Sequence, residues 1–238
     1  MNPLLAVIIV IFLAIVIKGI IGFGEALIAM PLLTLAVGLQ TAAPLVGLMG
    51  TLITAIVAIE QWREVDFSAT WRLVLGSALG IPVGLILLKL VPAPWMMHGM
   101  GILLVIYAAY TLIAPHWEGL SHPAWVYIFG FFAGMLGSAY NTSGPPVVIY
   151  ASARRWSPEQ FRATLQGCFL PMSLMVIFSH AVSGLWTPTV LVMFLLILPI
   201  ILVAYWAGTY ASRYIPADQF ARLVRVGLGI LGVMLVIR

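Results

Sequence analysis

Between Thr187 and Ala211 the chain runs for 25 residues without a charged side chain. As a helix rising 1.5 Å per residue, that stretch would cover about 38 Å, more than the roughly 30 Å of a bilayer's hydrocarbon core. Comparable apolar runs occupy Ala43–Ile59, Leu73–Leu90, Trp95–Ala114 and Ala163–Val182, and a last one follows Pro216 to Ile237. Runs of this length and composition predict helices that cross a membrane, where the backbone has to satisfy its own hydrogen bonds. Composition agrees. Of 238 residues 63% are hydrophobic and 8% charged, where soluble domains carry about 25% charged residues. The spans leave no room for a soluble domain, so the expected class is an all-α integral membrane protein. The first apolar run has no basic leader and no small-residue cleavage site, and is read as structure rather than as a signal peptide.

Two places interrupt the apolar pattern. The first is Lys18-Gly-Ile-Ile-Gly-Phe-Gly-Glu25, where a lysine, a glutamate and three glycines stand inside apolar sequence. A charge within a lipid-buried run costs roughly 2.5–3.5 kcal/mol on insertion scales and usually faces a cavity. Pro3–Val16 precedes this break, and Ala26–Val37 follows it, too short for a full crossing. We expect a hairpin with its turn near the membrane interior. The second interruption runs from Gly134 through Gly137 and Asn141-Thr-Ser-Gly144 to Pro145 and Pro146, followed by the short run Val147–Ala151.

The two interruptions repeat one another. Gly19, Gly22 and Pro31 match Gly134, Gly137 and Pro146 at a constant offset of 115, and Gly84 and Pro92 match Gly208 and Pro216 at an offset of 124. The expected organisation is a repeat over residues 1–114, a linker over 115–123 and a second repeat over 124–238. Each repeat is a broken re-entrant hairpin plus three to four transmembrane helices, about eight full spans in total. Treating each hairpin as returning to its own side puts Arg63, Arg72, Arg154, Arg155, Arg162 and Arg213 on one side, against Lys89 and Arg238 on the other. Basic loops stay cytoplasmic, so both termini are expected outside the cytoplasmic (inner) membrane, and the two repeats are inverted. Inverted repeats with broken helices are built into many transporters.

The short second arms start with unpaired N–H groups and the positive end of a helix dipole, which favour an anion. Candidate substrate-binding residues are therefore Lys18, Gly22, Gly24 and Glu25 at the first break and Tyr140, Asn141, Thr142, Ser143 and Gly144 at the second. Asn141, Thr142 and Ser143 can equally cap a helix. Lys18 can snorkel to the surface, face a substrate or pair with Glu25. Glu25 can pair, cap the second arm or carry a proton. His98 and His180 read as structural, and the single cysteine, Cys168, as a packing residue. Neither a metal-type Cys/His spacing nor an HExxH or GxSxG motif is present, so no cofactor, no metal site and no enzymatic activity are expected. A net charge of +4 carried in interhelical loops points to the bilayer and not to nucleic acid.

With Gly19-x-x-Gly22-x-Gly24 running to Pro31, Gly134-x-x-Gly137 running to Gly144-Pro145-Pro146, and the span pattern of each half, the chain resembles the TauE/SafE family, also called the 4-toluene sulfonate uptake permease family. The likeness covers essentially the whole chain. It implies transport of a small organosulfur anion such as sulfite, sulfoacetate, thiosulfate or an aryl sulfonate. The residues alone reach only as far as a small anion, held near the midplane by two facing breaks, with protons as a candidate coupling ion. An anion channel or a membrane scaffold subunit is the alternative.

Overall fold

The computed structural model describes residues 3–61, 67–113, 122, 124–153, 158–215 and 217–237. These form ten α-helices: α1 (Pro3–Ile21), α2 (Glu25–Val37), α3 (Leu39–Gln61), α4 (Phe67–Leu90), α5 (Ala93–Ile113), α6 (Ala124–Tyr140), α7 (Gly144–Ala153), α8 (Pro158–Val182), α9 (Pro188–Ala211) and α10 (Ala217–Ile237). Among the described residues five helices are long and apolar enough to cross a membrane, and α1, α2, α6 and the apolar part of α8 are shorter apolar segments. The chain is a multi-pass membrane protein.

The helices gather into two compact units, each drawing on both halves of the sequence. One takes Met1–Val46, Leu90–Pro115 and Pro188–Arg238; the other takes Gly47–Lys89 and His116–Thr187. Helix α3 therefore starts in the first unit and continues in the second.

In the first unit α1 packs on α2 and on α9, and α5 packs on α10. The inward side of α1 carries Val7, Ile11, Ala14 and Ile15, all fully buried, while Ile9, Phe12 and Leu13 are exposed. Apolar residues on both faces suit a helix with protein on one side and lipid on the other. The α1–α9 contact is made through backbone. A Cβ on Gly19 would stand 2.8 Å from the Gly208 backbone, and one on Gly208 would stand 2.5 Å from the Val16 carbonyl oxygen. The α5–α10 contact repeats the device with Gly101 and Gly232. In lipid there is no hydrophobic drive to press helices together, so close backbone packing between small residues has to hold them.

In the second unit α6 packs on α7 and α8, and α4 lies along α6. Gly76, Gly80 and Gly84, one turn apart, face Gly130, Phe131, Gly134 and Met135. A Cβ on Gly80 would overlap the Phe131 carbonyl oxygen, and one on Gly134 the Ser77 carbonyl oxygen.

Several boundaries differ from those read in the sequence. Helix α1 does not stop at Lys18 and Gly19 but continues to Ile21, because Gly19 serves the contact with α9. Helix α6 runs through Gly134 and Gly137 to Tyr140 for the same kind of reason. Helix α4 begins at Phe67, before the expected Leu73, and α8 begins at Pro158, before the expected Ala163. The arginines Arg63, Arg154 and Arg155 lie outside the described residues.

Candidate functional site: two helix breaks

At the first break α1 closes with the Gly22 N–H donating to the Lys18 carbonyl oxygen at 2.7 Å. Gly22 and Gly24 both take φ 95°, in the left-handed region, which side chains other than glycine pay to enter. Gly24 caps α2 without a side-chain hydrogen bond. Across this turn the Lys18 Nζ donates to Glu25 Oε1 at 2.5 Å, with the two side chains 4% and 12% exposed. Lys18 thus does not snorkel. It sits in the last turn of α1 and Glu25 in the first turn of α2, where each charge also complements its helix dipole. An anion approaching the start of α2 meets a carboxylate already in place and a lysine already engaged by it.

The second break is built without charge. Neither α6 nor α7 contains a carboxylate or a basic residue. Asn141 holds φ 54°, a conformation asparagine tolerates better than most side chains. Its N–H donates to the Gly137 carbonyl oxygen at 2.7 Å, and the Thr142 N–H donates to Leu136 at 3.2 Å, which satisfies carbonyls at the end of α6 in the manner of a left-handed cap. The Thr142 hydroxyl donates to the Tyr140 carbonyl oxygen at 3.0 Å, so its one proton is committed to the turn. Helix α7 then begins at Gly144 with Pro145 and Pro146 in its first turn. Proline fits there because first-turn N–H groups lack helical partners. The cost is two fewer backbone donors than a helix start ordinarily offers.

Neighbouring residues fix the polar groups of this break. The Asn141 Oδ1 lies against Gly47 of α3, where a Cβ would stand only 2.8 Å away. The Ser143 hydroxyl lies over Gly137 so closely that a Cβ there would overlap it. The His180 Nε2 of α8 donates to the Ser138 carbonyl oxygen at 3.0 Å. Tyr140 and Thr142 are buried beside them, and Ser138 and His180 are fully buried. Gly47, Ser138 and His180 were not candidates in the sequence. Gly47 stands in an ordinary span, and a lone histidine in an apolar helix reads as structural.

Gly19 meets Gly208 three residues before α9 ends at Ala211, and Ser138 is held by His180 two residues before α8 ends at Val182. Each break thus lies beside the last turns of a neighbouring helix. Helix α1, with 19 residues, covers about 28 Å and nearly completes a crossing. Among the described residues no group of His, Cys, Asp and Glu is arranged to hold a metal ion. Among the aromatics Tyr140, Tyr150 and Tyr205 are buried, whereas Trp206 is exposed.

The sequence matches the family described as Sulfite exporter TauE/SafE over residues 7–235. The chain belongs to the TauE/SafE family. No curated protein and no solved structure gives a significant match. Membership places this TauE/SafE chain among membrane transporters, and the match takes in both breaks and every helix that positions them.

Proposed function

We propose that the chain is a secondary transporter that carries a small organosulfur anion, a sulfonate, sulfite or a related ion, across the cytoplasmic membrane by alternating access. Lys18, Gly22, Gly24 and Glu25 at one break and Tyr140, Asn141, Thr142, Ser143 and Gly144 at the other are the proposed contacts, with protons as the coupling ion. The observation that carries this reading is the second break: a half-buried polar turn, free of carboxylates, at the start of a short helix, in a chain of the sulfite exporter family. A sulfonate has three oxygens sharing one charge. The Asn141 amide, the Ser143 hydroxyl and the N–H of Gly144 offer donors of the matching kind, and the absence of a fixed countercharge keeps binding weak enough for release.

The test is uptake of radiolabelled methanesulfonate and sulfite into proteoliposomes, with KM as the readout. Asn141→Gly keeps the left-handed backbone and removes only the side chain. Losing one donor to a charged group costs about 1.5–3 kcal/mol, so KM is expected to rise roughly 10- to 150-fold. Gly47→Ala adds a Cβ where the Asn141 oxygen lies, and is expected to raise KM in the same direction while leaving thermal stability unchanged or slightly raised, since alanine is the better helix former. Wild-type KM in both variants would remove Asn141 from the site.

We also propose that the two halves, 1–114 and 124–238 about the 115–123 linker, are inverted repeats. An offset of 115 carries Val16 and Gly19, the partners of Gly208 on α9, to Phe131 and Gly134, which face Gly80 and Ser77 on α4. Each broken first helix thus packs on the fourth helix of the other half. Inversion requires an odd number of crossings per half and, with the basic loops inside, both termini outside. Thiol labelling of single cysteines at the two ends of the chain in intact cells checks this: label reaching only one end from outside contradicts it.

A further inference from the structure

We propose that His180 is the proton-binding residue of the transport cycle, and that proton and anion bind cooperatively at the second break; this rests on the anion-transport reading above. The Ser138 carbonyl can only accept a hydrogen bond. In a continuous helix it would accept from the N–H of Thr142, but that N–H turns to Leu136, and the His180 Nε2–H takes its place. The tautomer follows: Nε2 bears the hydrogen and Nδ1 holds the basic lone pair. Nδ1 is buried with no hydrogen-bond partner, and so is the hydroxyl of Ser138, the same residue whose carbonyl the ring holds. His180 and Ser138 both have zero exposure. Native proteins leave few buried polar atoms unpaired, and each one left calls for a cause, a catalytic role or a bound ion among them.

The surroundings say what binds. Protonation at Nδ1 keeps the Nε2–H bond to Ser138 intact and puts a positive charge beside the C-terminal turn of α6, where the helix dipole favours a cation. Among the described side chains α6 carries Tyr127 and Tyr140 as its titratable groups, α7 carries Tyr150, and α8 itself carries the buried Cys168. On α4 the exposed Lys89 donates to the Ser183 carbonyl oxygen at 3.3 Å, three residues from His180, and opposes a second positive charge. The carboxylates carried by α3 and α8, Glu60 and Glu159, stand 13 residues from Gly47 (60 − 47) and 21 residues from His180 (180 − 159) along their helices. The countercharge for the imidazolium therefore has to come from the substrate. Each ligand then raises affinity for the other by the same factor, and the loaded protein carries one proton and one monoanion, with no net charge moved. Glu25, the carboxylate of the other break, is already engaged by Lys18.

Isothermal titration of the purified protein with methanesulfonate, which stays a monoanion throughout, is run at about pH 5.5 and about pH 8 to bracket imidazole titration. Repeating it in buffers of different ionisation enthalpy counts the protons taken up. The wild type is expected to bind at least tenfold more tightly at the lower pH and to take up close to one proton per anion between the two. His180→Gln, or His180→Asn if the first does not fold, retains a donor for Ser138 and is expected to lose both the proton uptake and the pH dependence. Binding without proton uptake in the wild type, or uptake that persists in the variant, overturns the proposal. If methanesulfonate does not bind the wild type at all, the transport reading fails first. The His180 ring nitrogens, followed by NMR and assigned by the missing signals of the variant, then decide this proposal alone. Titration of Nδ1 between those pH values sustains it, and a neutral Nε2–H ring throughout overturns it.

Discussion

Glu25→Gln is expected to destabilise the protein by about 3–5 kcal/mol, the cost of leaving one member of a buried ion pair without its partner. Lys18 is 4% exposed and Glu25 12% exposed at 2.5 Å separation, so solvent offers the unneutralised ammonium little relief. The first unit is where the damage would fall, since Lys18 closes α1 and Glu25 opens α2. Lys18→Met in the same chain removes that charge, and the double variant is expected to recover most of the loss, because replacing both charges by well-packed groups is often close to neutral. Unfolding in mixed detergent micelles measures this. A single variant within about 0.5 kcal/mol of wild type, the usual range for a surface substitution, would mean that the pair does not hold the break. Transport has to be measured alongside, so that lost activity is not credited to lost proton coupling when the break itself has come apart.

The second large effect concerns one substitution made at three glycines. Gly80→Ala is expected to cost about 3 kcal/mol or more, or to prevent folding, because the new Cβ overlaps the Phe131 carbonyl oxygen and approaches the Met135 nitrogen to 2.8 Å. Both are backbone atoms of α6, so the only relief is separation of two packed helices, beyond the 1–3 kcal/mol typical of an overfilled core. Gly22→Ala meets no atom within 4 Å, yet φ is +95°, and the expected cost is about 1–2 kcal/mol of backbone strain. Gly227→Ala also meets nothing within 4 Å and has no such φ, so it is expected to be neutral or to stabilise by up to about 1 kcal/mol through helix propensity. Thermal stability of the three purified variants gives the ranking, and Gly80→Ala falling beside Gly227→Ala would refute the backbone contact between α4 and α6.

That ranking also explains what the sequence could and could not tell. The spans were legible because twenty apolar residues in a row have few physical alternatives, and the breaks were legible because charge and polar side chains inside such runs are costly. The meaning of individual glycines was not. Gly19, Gly134 and Gly137 look like hinges beside Gly22 and Gly24, but they are flat places on continuous helices where Gly208, Ser77 and the Ser143 hydroxyl rest. A glycine that permits a turn and a glycine that permits a close neighbour leave the same letter, and only the partner helix tells them apart. His180 was hidden for a related reason. Its significance comes from a carbonyl 42 residues away in sequence, freed because the end of α6 deviates by one hydrogen bond.

The interleaving of the two units bears on how the protein is made. Gly19 reaches the membrane 189 residues before its contact Gly208 has been synthesised. At 5–20 residues per second that is a wait of roughly 10–40 s, during which α1 is held by α2 and by the buried pair of Lys18 and Glu25. The first unit cannot close before α9 and α10 emerge, so a chain released after Pro115 would possess neither unit whole. The ion pair that crosses the first break is thus a tether for the N-terminal hairpin while it waits in lipid. Losing it would show first as degradation of nascent chains, before any defect in the finished transporter could be measured.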